Sequence, residues 1–317
     1  MINLPVNRYQ FNFMVETPLH LNFYSGSMLR GAFGHALRQV SCMTKLAECK
    51  SCPLYRSCAY PAVFETPPPE QHGLQAFSDI PPPYIIEPPA LGSKDYQPGE
   101  MLSFSMVLIG SAIAQLPLII YAWQRALVRG LGKLHSQARL QNVSLALNQD
   151  ASESVIIYTA QAGAAVIAHE HLLKKDLNDV PNIPPKSITL SIKTPLRTQK
   201  QGKILSQDMT GRDFIMALVR RYYLLEEFHT THYQAPDFSA LAELALGINA
   251  TTQFHWCDWE RYSNRQQQKM ALGGVLGQIT LSGALQPFLP LLQMGQWIHI
   301  GNKTSFGMGL YTLKALD

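Results

Sequence analysis

The chain has 317 residues, a formal net charge of +4 and a pI near 8.7, with 15% charged and 46% apolar residues. That composition excludes a disordered protein and a strongly basic tail, and it permits a polyanionic partner without demanding one. The length fits two domains, each large enough to bury its own core.

The start, Met1-Ile2-Asn3-Leu4-Pro5, has neither the basic residues nor the apolar stretch of a secretory leader. Asn7–Val15 alternates Tyr9, Phe11, Phe13 and Val15 with polar residues and predicts a strand. Ser27–Val40 predicts a helix: Leu29, Phe33, Ala36, Leu37 and Val40 recur at helical spacing as a buried stripe, with Ser25 or Ser27 as the cap. A cysteine-rich insertion at 42–58 follows, then a Pro-rich excursion over 61–90 that ends in a short strand, Tyr84-Ile85-Ile86. The uncharged run from Met101 to Gln124 is interrupted by Ser103, Ser105, Gly110, Ser111, Gln115 and Pro117. It reads as a strand (Leu102–Ile109) and a helix (Leu116–Leu127) rather than a membrane span. Without leader or span the chain is expected in the cytoplasm, where thiols stay reduced. Arg139–Leu147 closes a β-α-β-β-α-β order, the ferredoxin-like pattern.

The second half repeats that order. Thr17-Pro18-Leu19 returns as Thr194-Pro195-Leu196, and Gly130-Leu131-Gly132 as Gly307-Met308-Gly309, both 177 positions later. Ser187–Lys193 predicts a strand, Gly211–Phe228 a helix, and Phe254–Tyr262 with Met270–Leu281 a strand pair. Phe288–Met294 is a short helix bounded by proline and glycine, and Leu310–Leu313 is the closing strand. The expected fold is therefore α+β: two tandem ferredoxin-like (βαββαβ, RRM-like) domains with antiparallel sheets, over residues 1–180 and 186–317, plus the small Cys-rich insertion. The boundary falls in the proline cluster of 176–185.

The glycine-rich loop 301–309 carries the sharpest chemical pattern. Gly301, Gly307 and Gly309 would let backbone approach a phosphate. Lys303 would add charge, Thr304 and Ser305 hydroxyl donors, and Phe306 a ring for stacking on a base. The alternative is a plain turn between helix and strand. The Gly-Lys-Ser/Thr ending of a nucleotide-hydrolysing loop is absent. Arg220, Arg221, Arg261, Arg265, Lys269 and Lys303 form a basic population that either is a solvated face or tracks phosphates. Trp259 and Tyr262 read as core rather than as stacking platforms.

Cys42, Cys49, Cys52 and Cys58 have the spacing C-x6-C-x2-C-x5-C, four thiols within 17 residues. A Cys-x2-Cys knuckle suits tetrahedral zinc in a closed, structural site; an iron–sulfur cluster is the rival. Cys257 reads as core. His229-x-x-His232 and His169-Glu170-His171 lack a partnering cluster and are not read as metal sites.

Residues 25–38, Ser-Gly-Ser-Met-Leu-Arg-Gly-Ala-Phe-Gly-His-Ala-Leu-Arg, resemble the first helix of the CRISPR-associated repeat-processing endoribonucleases of the RAMP superfamily. The Cys patch, Pro81-Pro82-Pro83-Tyr84, Trp259-Glu260-Arg261-Tyr262-Ser263 and the final glycine loop resemble its cysteine-containing subgroup, in the same order over nearly the whole chain. The resemblance implies tandem ferredoxin-like domains, binding of precursor and mature CRISPR guide RNA, and one cut per repeat. It further implies cleavage without a metal, leaving a 2′,3′-cyclic phosphate and a 5′-hydroxyl, and other subunits of an effector complex as partners. It also admits members that bind guide RNA without cutting; a zinc-stabilised protein-interaction module remains a third reading.

Cleavage of that kind asks for proton transfer and charge neutralisation. His35 lies on the polar side of helix 27–40, matching the position where the family often places a histidine. Arg38 is one turn on, within reach of the same phosphate. Tyr24 and Lys45 are weaker candidates, and Arg30 is counted among RNA-binding residues. Gly31 and Gly34 would keep that side of the helix low enough for an RNA backbone.

Overall fold

The computed structural model describes residues 2–69, 80–169, 185–200, 202–263 and 268–314. By contacts the chain divides into two units: Pro5–Lys174 with Leu224–Thr231, and Met1–Leu4, Lys175–Tyr223 and His232–Asp317. The proline cluster expected to mark the boundary lies largely outside the described residues.

In the N-terminal half the elements are β1 (Val6–Val15), β2 (Leu19–Leu21), α1 (Gly26–Ser41), α2 (Ala59–Phe64), β3 (Tyr84–Glu87), β4 (Lys94–Tyr96), β5 (Met101–Ile109), α3 (Leu116–Arg129), β6 (Ala138–Ala146) and β7 (Ser154–Thr159). Its main sheet runs β3-β5-β1-β6-β7, all antiparallel. The first four strands are in ferredoxin-like order. The edge strand β7 is an addition that the sequence did not announce, because Ser154–Thr159 shows no clean alternation. β2 and β4 pair separately.

The stripe foreseen on α1 is the buried one: Leu29, Phe33, Ala36 and Leu37 lie inward. Phe33 is fully buried, with ring centroids 5.1 Å from Trp123, 5.5 Å from Tyr84 and 6.2 Å from Phe64. Trp123 of α3 is also fully buried and donates its indole N–H to Met106 Sδ at 3.4 Å. At the sheet edge a buried ion pair, Arg8–Glu87 at 2.9 Å, joins β1 to β3, and the Arg8 guanidinium also donates to the Gln149 carbonyl at 2.6 Å. Two local expectations are corrected. Ser25 is the N-cap residue of α1, but its side chain makes no capping bond because its backbone is already helical (φ −89°, ψ −5°). Gly34 does not leave room for a ligand: a Cβ there would meet the Phe64 ring. Gly31 is open.

The C-terminal half contains β8 (Ser187–Leu196), β9 (Gln199–Lys200), β10 (Lys203–Ile204), α4 (Gly211–His229), α5 (Phe238–Leu246), β11 (Ile248–Cys257), β12 (Glu260–Ser263), β13 (Gln268–Ala271), β14 (Gly274–Gly283), α6 (Leu289–Ile298) and β15 (Tyr311–Leu313). The sheet order β11-β14-β8-β15 is again ferredoxin-like and antiparallel. The single strand pair expected over 254–281 is two pairs, β11 with β14 and β12 with β13. α6 runs through Gly295 instead of stopping there; the glycine makes room for the Tyr311 hydroxyl, which occupies the space a Cβ would need and donates to the Leu292 carbonyl at 2.7 Å. Phe214 of α4 packs edge-on against Tyr311 at 5.7 Å.

The two Gly-x-Gly matches sit at equivalent points, between the second helix and the last strand of each motif. All four glycines have positive φ: 107° and 68° at Gly130 and Gly132, 87° and 76° at Gly307 and Gly309. The residue between them, Leu131 or Met308, is buried in both. A Cβ on Gly309 would strike the Ile300 carbonyl. Gly309→Ala is therefore expected to destabilise the fold by about 1–3 kcal/mol, read as a lower urea midpoint at unchanged slope.

Candidate active site

His35 projects from the exposed face of α1, opposite the aromatic core. Its partner comes from α3, which packs beside α1: Nη1 of Arg129 donates to Nε2 of His35 at 2.8 Å. Nε2 is then the acceptor, and the neutral ring carries its hydrogen on Nδ1. Partial burial, then the positive charges of Arg129 and Arg38, hold His35 below the usual imidazole range. At neutral pH the ring is a base, not a cation.

Arg129 is the residue that sequence reasoning missed. It stands in the last turn of α3, 94 residues from His35. Its signal is topological: in β-α-β-β-α-β order the two helices become neighbours, so residues on their facing edges meet.

Arg38 is placed differently from the expectation. Its Nη2 donates to the carbonyls of Leu46 at 2.7 Å and Ala47 at 2.6 Å, and its guanidinium lies 6.0 Å from the Tyr60 ring centroid. It ties the Cys-rich segment to α1 and acts on His35 only through its field. Arg30 stacks on Phe64 at 4.3 Å and hydrogen-bonds Tyr84, so its head is engaged within the fold. Tyr24 is buried, which removes it from direct contact with a surface ligand. Lys45 is exposed, in a left-handed turn (φ 55°).

The glycine loop departs from its expected presentation. Thr304, Ser305 and Phe306 are buried, so the hydroxyls and the ring are not offered to a nucleic acid. Thr304–Phe306 forms a 3-10 turn whose burial follows from the tight closure of the loop. Four loop N–H groups are used internally: Asn302 to Arg197, Phe306 to Lys303, Gly307 to Thr304 and Gly309 to Pro195. What remains at the surface is Gly301-Asn302-Lys303, with Lys303 exposed at φ 61°. The loop is held from beneath by His299, fully buried, whose Nδ1 lies 3.1 Å from the Met308 carbonyl. Arg221 is not part of a solvated basic face. It is buried, donates to the Ile298 carbonyl at 2.6 Å, and burial lowers its pKa to about 9.

Of the other basic candidates, Arg261 and Lys269 lie on the β12–β13 hairpin, whose register sets Tyr262 opposite Lys269. Arg265 falls outside the described residues. His169 and His229 are buried and structural: Nε2 of His169 is 2.9 Å from the Tyr9 hydroxyl, and Nε2 of His229 is 2.7 Å from the Pro81 carbonyl.

Cys42, Cys49, Cys52 and Cys58 line one pocket together with Arg38, Tyr55 and Tyr60. None is in a disulfide. Burial pushes the Cys49 thiol up while Arg38 pulls it down. Among the described residues no three His, Cys, Asp or Glu side chains are gathered closely enough to hold an ion. No helix among the described residues is long and apolar enough to cross a membrane.

Residues 190–311 match the family model of the CRISPR-associated endoribonuclease Cas6, and residues 4–171 match a model described as an N-terminal domain. An uncharacterized protein of Archaeoglobus fulgidus is 26% identical over 301 residues, 93% of each chain. Among solved structures, Thermus thermophilus Cas6 superposes with a TM-score of 0.53 at 17% identity, covering 98% of this chain and 99% of that one. A Cas6 product complex gives 0.56 at 18% identity with the same coverage. A partial Cas6-RT-Cas1–Cas2 complex gives 0.57 at 13% identity, covering 98% of this chain and 46% of that one. These superpositions establish a shared two-domain α+β fold.

Proposed function

We propose that this chain, whose residues 190–311 match the Cas6 family model, cuts CRISPR repeat RNA in precursor transcripts to release guide RNAs, with His35 as the proton-transfer group and no metal in the reaction. The observation that carries this reading is the exposed, low-pKa imidazole of His35 paired with Arg129 on the open side of α1. In the proposed step, Arg129 turns to a non-bridging phosphate oxygen and frees Nε2. Nε2 accepts the proton of a ribose 2′-hydroxyl, and the 2′-oxygen attacks phosphorus. The bond from phosphorus to the 5′-oxygen breaks, and that oxygen takes a proton from water or from the exposed ammonium of Lys45. The products are a 2′,3′-cyclic phosphate and a 5′-hydroxyl. Arg129 meets the growing negative charge, a role for which a guanidinium is suited. Lys303, Arg261, Arg265 and Lys269 supply the cations for phosphate contact in the C-terminal half.

The test is incubation with the protein's own repeat transcript in EDTA. One cut per repeat with a cyclic phosphate end supports the reading. Tight, salt-dependent binding with intact RNA would replace it with a guide-holding subunit that does not cleave.

The pH dependence follows from the direction of the His35 shift. The neutral imidazole is the active form, so the rate is flat above the folded pKa and falls tenfold per pH unit below it. That midpoint is expected below about 6.5, the ordinary value. Arg129→Met removes a cation that favours the neutral ring, so the midpoint should move up toward the ordinary value. Single-turnover rates between pH 4.5 and 8 check this, and an unmoved acid limb would separate Arg129 from His35.

A further inference from the structure

We propose that Cys42, Cys49, Cys52 and Cys58 bind one structural zinc ion, which fixes the C-terminal end of the helix bearing His35. Between Cys42 and Cys58 there is no helix or strand, and not one residue is buried. Met43 is 82% exposed and Leu46 44%. Ordering a backbone residue costs about 1–2 kcal/mol, and apolar burial here offsets little of it. The core reaches this segment at the half-buried Cys49 and Cys58, and Arg38 ties it to α1; a shared ligand would hold the rest.

The segment nonetheless has a defined course, and that course is the one a thiolate site needs. Cys49 and Cys52 flank a tight turn, with the Cys52 N–H donating to the Cys49 carbonyl at 3.0 Å. The Tyr55 N–H donates to the Cys52 carbonyl at 3.0 Å, and the Cys58 N–H to the Leu54 carbonyl at 2.8 Å. Cys42 follows directly on the last residue of α1, and Cys58 precedes α2. The four thiols thus come from a helix end, a knuckle and a helix start, and they face one cavity of about 20 Å³. That is room for about one water-sized body, which suits a single ion. The thiols are not yet gathered at ion distance. The four cysteines are half-buried, Cys49 and Cys58 against the edge of the core, and turning their side chains toward an ion exchanges weak contacts such as that of Cys52 Sγ with the Thr44 hydroxyl at 3.3 Å for metal ligation.

Charge is balanced in the same way. Zinc with four thiolates is a dianion, and Arg38 lines the cavity while donating to the Leu46 and Ala47 carbonyls. Arg38 stands on α1 one turn beyond His35. An ion that fixes 42–58 therefore fixes Arg38 and the last turn of α1.

The test is metal analysis of the full chain as purified from zinc-replete growth under reducing conditions. About one zinc per chain is expected, lost in the Cys49→Ser/Cys52→Ser variant with a fall in thermal midpoint of roughly 5 °C or more. Cobalt replacement should give the intense visible bands of tetrahedral thiolate ligation. Cys257→Ser, outside the cluster, should keep its zinc and its midpoint. If the cysteine pair variant does not fold, chelator-driven release of zinc from the natural chain, with the accompanying loss of thermal stability, reads the same property. A chain without metal that takes up neither zinc nor cobalt overturns the proposal. So does a brown protein containing iron and sulfide, or zinc retained when both Cys49 and Cys52 are serine. None of these readings depends on RNA cleavage.

Discussion

Replacing His35 with alanine is expected to slow repeat cleavage by about 10²- to 10⁴-fold, the usual worth of a positioned acid–base group, equivalent to roughly 3–5 kcal/mol of barrier. The folded state should hardly change. His35 is exposed, its bond is to a single guanidinium, and alanine is the better helix former. Substitutions at such surface positions stay within about 0.5 kcal/mol. RNA affinity should change by less than about threefold, because one uncharged side chain adds little to a phosphate-dominated interface. The decisive measurement pairs a single-turnover cleavage rate with a filter-binding titration on the same protein. Undiminished cutting by the alanine variant would remove His35 from the chemistry. Parallel loss of cutting and binding would make it an RNA contact instead.

Phe33→Ala is expected to destabilise the protein by about 3–5 kcal/mol. Phe33 lies two residues from His35 on the same helix, fully buried at the meeting point of α1, α3 and β3, against Trp123, Tyr84 and Phe64. Those three rings are themselves largely buried and stand on different elements, so the cavity cannot close without moving the sheet or a helix. Against a typical domain stability of about 5–15 kcal/mol, that loss leaves little reserve. Chemical denaturation should show a lower midpoint, and a cost under about 1 kcal/mol would mean that the site collapses around the missing ring. The two variants, two positions apart, divide the labour of α1 between its faces.

The fold was legible because its main elements follow simple periods. β1 alternates, α1 repeats at three and four, and the run from Met101 splits at Gly110 and Pro117 into β5 and α3. The duplication was legible as well, since a positive-φ glycine pair leaves a short fixed signature in each half. β7 and α5 escaped because neither carries a clean pattern: α5 has apolar residues nearly all round, and Phe238, Leu244 and Leu246 remain exposed. The site was half legible. His35 was visible from its place off the apolar stripe. Arg38 was at the right spacing, yet carbonyls eight and nine residues away took its donors. Arg129 had no local signal, since only the tertiary fold brings it to α1. Thr304, Ser305 and Phe306 misled because a glycine-rich sequence suggests exposure, whereas positive-φ glycines here let the chain fold back on itself and bury what lies between them.

The two-sided character of α1 carries an evolutionary corollary. The residues that make the helix fold are buried on one face and the residue proposed to make it act is exposed on the other, so selection can relax on one with little penalty to the other. A single codon change at position 35 would silence the blade yet spare the handle, and lineages that need only a clasp for guide RNA can arise by drift from lineages that need scissors. Among homologues of this chain, the residue aligned with His35 should therefore vary more freely than Phe33, and its identity should sort cutters from holders.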